Sequence, residues 1–143
     1  PLVIMNSAKP LMLIEDDQVD AMIVERAVRD LSIRNELVHV SNGELALEYL
    51  NDPHKQNPCV ILLDLNMPRM NGKEFLEIIK QDVLLKMIPV IVLTSSQDQK
   101  DKAESFRLGV SGYMLKPVGY QQFVDVVRTV ELYWTMSELP PLD

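Results

Sequence analysis

The sequence predicts an α/β domain with a doubly wound, five-stranded parallel sheet and helices on both of its faces. Short apolar runs alternate with segments in which apolar residues recur at helical spacing, and this pair of patterns occurs five times. Strands that alternate with helices in this way lie parallel and are joined by right-handed crossovers. The composition, 47% hydrophobic and 24% charged over 143 residues, suits one domain with a substantial core.

The first half of the chain supplies three strands and two helices. The strands are the runs over 11–14, 36–40 and 60–63, and the last of these is apolar throughout, as expected of a strand buried on both faces. Helices are predicted over about 18–31 and over 44–50, because apolar residues recur there at helical spacing between charged ones. The alternation of the two kinds of element is regular from the start.

The second half continues the alternation with three helices and two strands. The predicted elements are a helix over 72–81, a strand over 89–93, a helix over 97–108, a strand over 112–115 and a helix from 120 to about 137. Ser96 is the expected N-cap of the helix over 97–108, and Gly109 is expected to end it. The predicted domain therefore spans residues 10–137, with a leader over 1–9 and a tail over 138–143.

Charge and composition exclude several classes of protein. Asp and Glu number 21 against 14 Lys and Arg, and the net charge of -7 argues against a nucleic-acid surface, which needs clustered basic residues. No apolar run approaches the roughly 20 residues of a membrane span, and no signal peptide is recognisable. A single cysteine, Cys59, has no partner for an internal disulfide. We expect a soluble, cytoplasmic protein whose chain carries no separate output domain.

Polar side chains stand at the ends of four predicted strands. Glu15 and Asp16 follow the first strand, and Asp64 follows the third. Thr94 follows the strand over 89–93, and Lys116 follows the last strand. Because the carboxyl ends of parallel strands share one edge of the sheet, we expect these side chains to converge, although they lie far apart in sequence.

The expected cluster suits phosphoryl transfer assisted by a divalent cation. Crowded carboxylates repel one another unless a cation joins them, and an oxygen-only donor set favours Mg²⁺ over zinc. A metal beside a hydroxyl and an ammonium can hold the charge of a transferring phosphoryl group, and Asp64 can act as its acceptor. Asp17 and Asp20 are interpreted as charges that favour the first turn of a helix, not as ligands.

Four segments carry a resemblance to a known family. In chain order they are IEDD at 14–17, VILLDLNMPRMNG at 60–72, VIVLTSS at 90–96 and YMLKP at 113–117. The set resembles the receiver domain of two-component response regulators, and the likeness covers residues of about 10–137. It implies a flavodoxin-like sheet of strand order 2-1-3-4-5 and a partner histidine kinase.

The resemblance implies a role for each residue at the sheet edge. Asp64 would accept the phosphoryl group and also bind Mg²⁺, Asp16 would bind the metal directly, and Glu15 would bind it largely through water. Asn66 would supply a backbone carbonyl to the metal. Thr94 and Lys116 would contact the phosphoryl oxygens. Tyr113 would be the aromatic switch that turns inward when Thr94 moves, and the Lys116–Pro117 peptide bond would be cis.

The last predicted helix carries more apolar residues near its end than packing on the sheet requires. Tyr133, Trp134 and Met136 are this surplus, and they either cap the core or form an association surface, most simply a twofold homodimer. The ending LYWTMSELPP also resembles the single-domain regulators that partner bacterial phytochrome histidine kinases.

Three functions are compatible with these residues. The first is a stand-alone receiver, a signalling protein whose only chemistry is its own phosphorylation and dephosphorylation, read out through the fourth helix, fifth strand and fifth helix. The second is a phosphorelay shuttle that passes the phosphoryl group to a histidine phosphotransfer protein. The third is a phosphatase with an Asp nucleophile, which is disfavoured because such enzymes place an acid two residues after the nucleophile, where this chain has Asn66.

Overall fold

A computed structural model of the chain describes residues 9–67, 70–116 and 120–136, without the side chains of residues 130 and 133–136. The strands are β1 (Leu11–Ile14), β2 (Leu37–Val40), β3 (Val60–Leu63), β4 (Val90–Thr94) and β5 (Gly112–Leu115). The helices are α1 (Gln18–Asp30), α2 (Gly43–Leu50), α3 (Gly72–Ile79), α4 (Gln99–Arg107) and α5 (Tyr120–Met136), with a 3-10 helix at Leu85–Met87. None of the described helices is both long and apolar enough to cross a membrane.

The strands form one parallel sheet in the order β2-β1-β3-β4-β5, which confirms the predicted flavodoxin-like topology. Ile14 pairs with Leu63, and Leu63 pairs with Val92, so the carboxyl ends of β1, β3 and β4 lie side by side. Thr94 pairs with Leu115 on β5. The residues that follow these strands therefore emerge along one edge.

Alternation along each strand divides the core into two layers. In β1, Leu11 and Leu13 face the layer that α1 and α5 cover, whereas Met12 and Ile14 face the layer of α2 and α3. This two-sided burial follows from the period of two along a strand. The strands β1, β3 and β4 are buried at every position, so they form a rigid support for the edge that follows them.

Several predicted boundaries differ from the structure by one or two residues, and the start of α4 is one of them. Helix α4 begins two residues later than predicted, because Asp98 accepts a hydrogen bond from the backbone of Lys100 and so caps the helix. The predicted cap, Ser96, instead donates from its hydroxyl to Asp101 at 2.7 Å. The 3-10 helix at Leu85–Met87 was not predicted. Gly109 ends α4 as predicted, with a φ angle of 90°.

Candidate functional site

Backbone hydrogen bonds extend the sheet beyond the strand ends and fix the residues that follow them. The backbone N–H of Glu15 donates to Val40 at 3.0 Å, and that of Asp64 donates to Ile14 at 3.1 Å. The N–H of Lys116 donates to the carbonyl of Thr94 at 2.9 Å. The polar residues at this edge are thus positioned by the sheet itself and not by mobile loops.

Three carboxylates meet at the centre of the edge. Glu15, Asp16 and Asp64 each offer an oxygen, and these oxygens lie within 4.8 Å of one another. Glu15 and Asp64 are buried, whereas Asp16 reaches solvent. Like charges at this spacing need a cation, and an oxygen-only set open to water on one side fits a hard divalent ion such as Mg²⁺. The prediction that these acids converge is confirmed.

Lys116 brings a positive charge into the same cluster. Its ammonium donates to Glu15 Oε1 at 2.7 Å and to Asp20 Oδ2 at 2.8 Å, and it lies 3.6 Å from Asp64 Oδ2. The ammonium thus contacts three carboxylates, but its two short bonds point to the α1 side of the edge. Asp20, interpreted from the sequence as a helix-dipole charge, is part of the site.

Burial and pairing shift the pKa values of Glu15 and Lys116, which are joined by a hydrogen bond of 2.7 Å. Burial raises the pKa of the Glu15 carboxyl to about 7, although the hydrogen bond from Lys116 opposes this rise. Burial by itself lowers the pKa of Lys116, but the hydrogen bonds to Asp20 and Glu15 outweigh it, so the pKa of Lys116 is raised. The ammonium is therefore a permanent positive charge at this edge.

Short turns follow β3 and β4 on the side of the edge away from α1. Asp64 Oδ1 accepts a hydrogen bond from the backbone N–H of Asn66 at 3.3 Å. Thr94 is buried, and its hydroxyl oxygen accepts from the N–H of Ser96 at 3.3 Å. The hydroxyl of Tyr113 donates to the Ser96 carbonyl at 3.0 Å. Tyr113 is therefore tied to the loop that begins at Thr94.

An ion-pair network joins α3 to α4 beside this loop. Lys73 lies 2.5 Å from Asp101 and 2.7 Å from Glu104, and Asp101 also accepts the bond from Ser96. The network borders an open cleft of about 380 Å³ next to the Asp64 turn. The cleft is lined by Leu65, Asn66, Met67, Asn71, Lys73 and Asp101. This network was not predictable from the sequence, because no pattern in it pairs Lys73 with α4.

Some predicted site residues lie outside the described part of the structure. Pro117 is among them, so the predicted cis bond between Lys116 and Pro117 stays a prediction. Tyr133, Trp134 and Met136 belong to α5, but their side chains are not described. The signal that could have revealed Asp20 is its place in the first turn of α1, which begins directly after the acids at the end of β1.

A family model described as "Response regulator receiver domain" matches residues 11–128. Response regulator Rcp1 of Synechocystis is 35% identical over 136 residues, which cover 90% of this chain and 90% of Rcp1. A crystal structure of the Mn²⁺-bound form of Rcp1 covers 93% of this chain and 99% of its own, with a TM-score of 0.85 and 33% identity. The match therefore spans nearly the whole length of both proteins.

Two further solved structures are similar over most of the chain. The phosphorylated cyanobacterial phytochrome response regulator RcpA has a TM-score of 0.87 and 34% identity, and the match covers 94% of this chain and 99% of RcpA. The bacteriophytochrome response regulator RtBRR has a TM-score of 0.74 and 38% identity, and the match covers 94% of this chain and 84% of RtBRR. These proteins share both the fold and a substantial fraction of the sequence described above.

Proposed function

The chain belongs to the response regulator receiver family, and from this premise we propose that Asp64 accepts a phosphoryl group from a sensor histidine kinase. The observation that supports this most directly is the arrangement around Asp64. A buried carboxylate at the end of a central strand has the Lys116 ammonium 3.6 Å away and two further acids within 4.8 Å. Such a carboxylate can act as a nucleophile, and the nearby ammonium can neutralise the charge of the phosphoryl group that it accepts.

The proposed reaction transfers phosphorus from nitrogen to oxygen. A carboxylate oxygen of Asp64 attacks the phosphorus of a phosphohistidine, an O–P bond forms, and the P–N bond breaks with its electron pair returning to the imidazole. Mg²⁺, held by Asp16, Asp64, the carbonyl of Asn66 and, through water, Glu15, would supply electrostatic stabilisation of the phosphoryl oxygens. Lys116 and the Thr94 hydroxyl contact the remaining oxygens of the product.

The proposed output is a change in the surface formed by α4, β5 and α5. When Thr94 turns toward the phosphoryl group, its hydrogen bond to the Ser96 N–H is lost, and the loop between β4 and α4 must move. The hydroxyl of Tyr113 then loses its partner, the Ser96 carbonyl, which frees the ring to change its orientation. The bonds Ser96–Thr94 and Tyr113–Ser96, at 3.3 and 3.0 Å, support this coupling.

The proposed kinase partner is a bacterial phytochrome. RcpA is described as a phytochrome response regulator and RtBRR as a bacteriophytochrome response regulator, and each is similar to this chain over most of its length. We place the exchange in the cytoplasm, which is compatible with the buried, unpaired thiol of Cys59. Neither a nucleic acid nor a membrane is required by this role.

We also propose that the protein forms a twofold homodimer in which Tyr133, Trp134 and Met136 of α5 take part. The apolar sequence near the end of this helix supports the proposal. The test is light scattering on wild type and on a Tyr133→Ala, Trp134→Ala protein. The substituted protein should be shifted toward monomer, and an unchanged mass would contradict this role.

Phosphoryl uptake on Asp64 is tested with phosphoramidate, a small phosphodonor, in the presence of Mg²⁺. Intact mass spectrometry should show the addition of one phosphoryl group to wild type and to the control Asp17→Asn, and none to Asp64→Asn. Omission of Mg²⁺ should strongly reduce uptake. Phosphorylation of the Asp64→Asn protein at the wild-type rate would rule the proposal out.

The phosphorelay alternative is decided by the fate of the phosphoryl group. Phosphorylated wild type is mixed with isolated histidine phosphotransfer proteins, and the label on each is followed over time. Rapid transfer from Asp64 would favour a shuttle, whereas retention of the label until hydrolysis would favour a terminal regulator.

A further inference from the structure

The charge balance around Lys116 is unusual because three carboxylates contact its single positive charge. An ammonium has three N–H groups, and here two of them make short bonds to Glu15 and Asp20, at 2.7 and 2.8 Å. The 3.6 Å separation from Asp64 is an ion pair without a hydrogen bond of comparable length. In this state Lys116 is thus bound more closely by α1 and the end of β1 than by Asp64.

Asp20 stands apart from the carboxylates that can share a metal. Within the described residues, the group that brings its oxygens within 4.8 Å consists of Glu15, Asp16 and Asp64, and Asp20 is not in it. Its carboxylate is directed to the Lys116 ammonium instead. The start of α1 is held in place by Asp17, which accepts hydrogen bonds from the N–H groups of Val19 and Asp20. The position of Asp20 is therefore set by the helix cap.

We propose that Asp20 is a positioning residue that holds Lys116 on the α1 side of the edge and so opposes its pairing with a phosphoryl group on Asp64. The inference rests on the proposed phosphorylation of Asp64. When the phosphoryl group arrives, Lys116 exchanges a carboxylate partner for a phosphoryl oxygen, and the bond to Asp20 is the one that is lost. Asp20 in this way stabilises the unphosphorylated state relative to the phosphorylated one.

The two partners of Lys116 differ in how easily they release it. Glu15 is buried, with 2% of its side chain exposed, so bulk water has little access to replace the ammonium there. Asp20 has 35% of its side chain exposed, so water can replace the ammonium there. Release of the ammonium from Asp20 therefore costs less free energy than release from Glu15. The strength of the Asp20 contact thus affects how readily Lys116 pairs with the phosphoryl group.

The test measures the affinity for beryllofluoride, a mimic of the phosphoryl group, at saturating Mg²⁺. Binding is followed by fluorine NMR on wild type, Asp20→Asn and Asp20→Glu, with thermal unfolding as a check on folding. The control is Asp17→Asn, which removes the same charge from the same helix turn while keeping a side chain that caps helices well. Because a partly exposed ion pair is lost, we expect Asp20→Asn to bind beryllofluoride about fivefold more tightly than wild type.

Asp17→Asn should bind beryllofluoride like wild type, and Asp20→Glu should restore an affinity close to that of wild type because its carboxylate can still reach Lys116. Equal or weaker binding by Asp20→Asn, relative to Asp17→Asn, would overturn the inference. Weaker binding would indicate that Asp20 directs Lys116 toward Asp64. Absence of beryllofluoride binding by wild type would instead contradict the proposed function itself, so the two failures are distinguishable.

Discussion

Gly72 occupies a position at the start of α3 where no side chain fits. A Cβ atom there would lie 2.7 Å from the Leu65 Cα and 2.8 Å from the Asp64 carbonyl oxygen. Both atoms belong to the backbone of the turn that carries Asp64, so neither can move aside by a change of rotamer. The close approach also allows the Gly72 N–H to donate to Leu65 at 3.0 Å.

We therefore expect Gly72→Ala to reduce the free energy of unfolding by about 2 kcal/mol, as overpacking of a tight contact does. The turn must shift to relieve the contact, so phosphoryl uptake by Asp64 should also slow. Urea denaturation measures the first effect and intact mass spectrometry the second. Gly112→Ala is the control, because its Cβ would meet only Ile91 side-chain atoms at 3.7 Å or more. Equal stability of the two variants would contradict the argument.

Cys59 offers a second test at the residue scale. Its thiol is buried, with no exposed surface, and burial raises its pKa to about 11. Since the thiolate is the nucleophile, only about one thiol in a thousand is ionised at pH 8. Alkylation by iodoacetamide at pH 8 should be slow for the folded protein and fast in urea. Reaction in native buffer at the rate seen in urea would show that the thiol is accessible.

The sequence predicts which polar residues converge at the sheet edge but not all of their partners. Asp64, Thr94 and Lys116 stand at strand ends, and a parallel sheet brings such residues to one edge whatever the details of packing. Asp17 and Asp20 look alike in sequence, as two acids in the first turn of a helix. In the structure, Asp17 caps α1, whereas Asp20 accepts a hydrogen bond from the Lys116 ammonium. That distinction depends on the packing of β5 beside β4, which no local pattern encodes.

At the scale of elements, α4 is the helix with the weakest hold on the core. Its buried residue is Ser105, and its hydroxyl donates to the Asp101 carbonyl within the helix. The ion pairs from Lys73 on α3 therefore add to the contacts that fix its position. An element held by polar contacts can move at low cost, as the proposed output surface requires.

Lys73→Met should make the protein modestly less stable near neutral pH, in the range of exposed ion pairs. The Lys73 ammonium holds the pKa values of Asp101 and Glu104 below their usual range. Because its pKa is depressed in the folded state, each carboxylate stabilises the folded state at pH values above the unfolded-state pKa near 4. This stabilisation is lost as the pH falls through the folded-state pKa. The difference between wild type and Lys73→Met should therefore shrink between pH 5 and pH 3, as measured by urea denaturation.

The control for this experiment is Lys102→Met, which removes the same charge from an exposed position on α4. Its stability relative to wild type should change little over the same pH range. If Lys73→Met and Lys102→Met behaved alike, the pairs with Asp101 and Glu104 would not contribute to stability.

Element positions were predictable where the apolar pattern is strong. The strands β1, β3 and β5 have the predicted bounds, because each is a run of four residues set between polar or turn residues. The start of α4 was not predictable, because Ser96 and Asp98 are both good helix caps. Only the structure shows that the Ser96 hydroxyl donates to Asp101. Competition between equivalent local signals is settled by tertiary contacts.

At the scale of the whole molecule, the architecture concentrates negative charge at one edge. The chain carries a net charge of -7, and among the residues that the structure describes three carboxylates converge there beside the Lys116 ammonium. The convergence was predictable from strand order alone, because β1 and β3 are neighbours in a parallel sheet. The charges repel one another in the absence of a cation. Metal binding at this edge should therefore be linked to the stability of the entire domain.

We expect Mg²⁺ to raise the free energy of unfolding by about 1.4 kcal/mol at a concentration ten times its Kd, since it binds the folded state only. Urea denaturation with and without MgCl₂ measures the increase, and KCl at equal ionic strength accounts for general screening of the net charge. Asp16→Asn should abolish the response to Mg²⁺, and without metal it should be more stable than wild type because one repelling charge is gone. Equal stabilisation by KCl and MgCl₂, or an undiminished response in Asp16→Asn, would mean that the three carboxylates do not act as a metal site. The linkage, if observed, means that one ion stabilises the acids of β1 and β3 together, and so couples the neutralisation of Asp64 to the folding of the sheet.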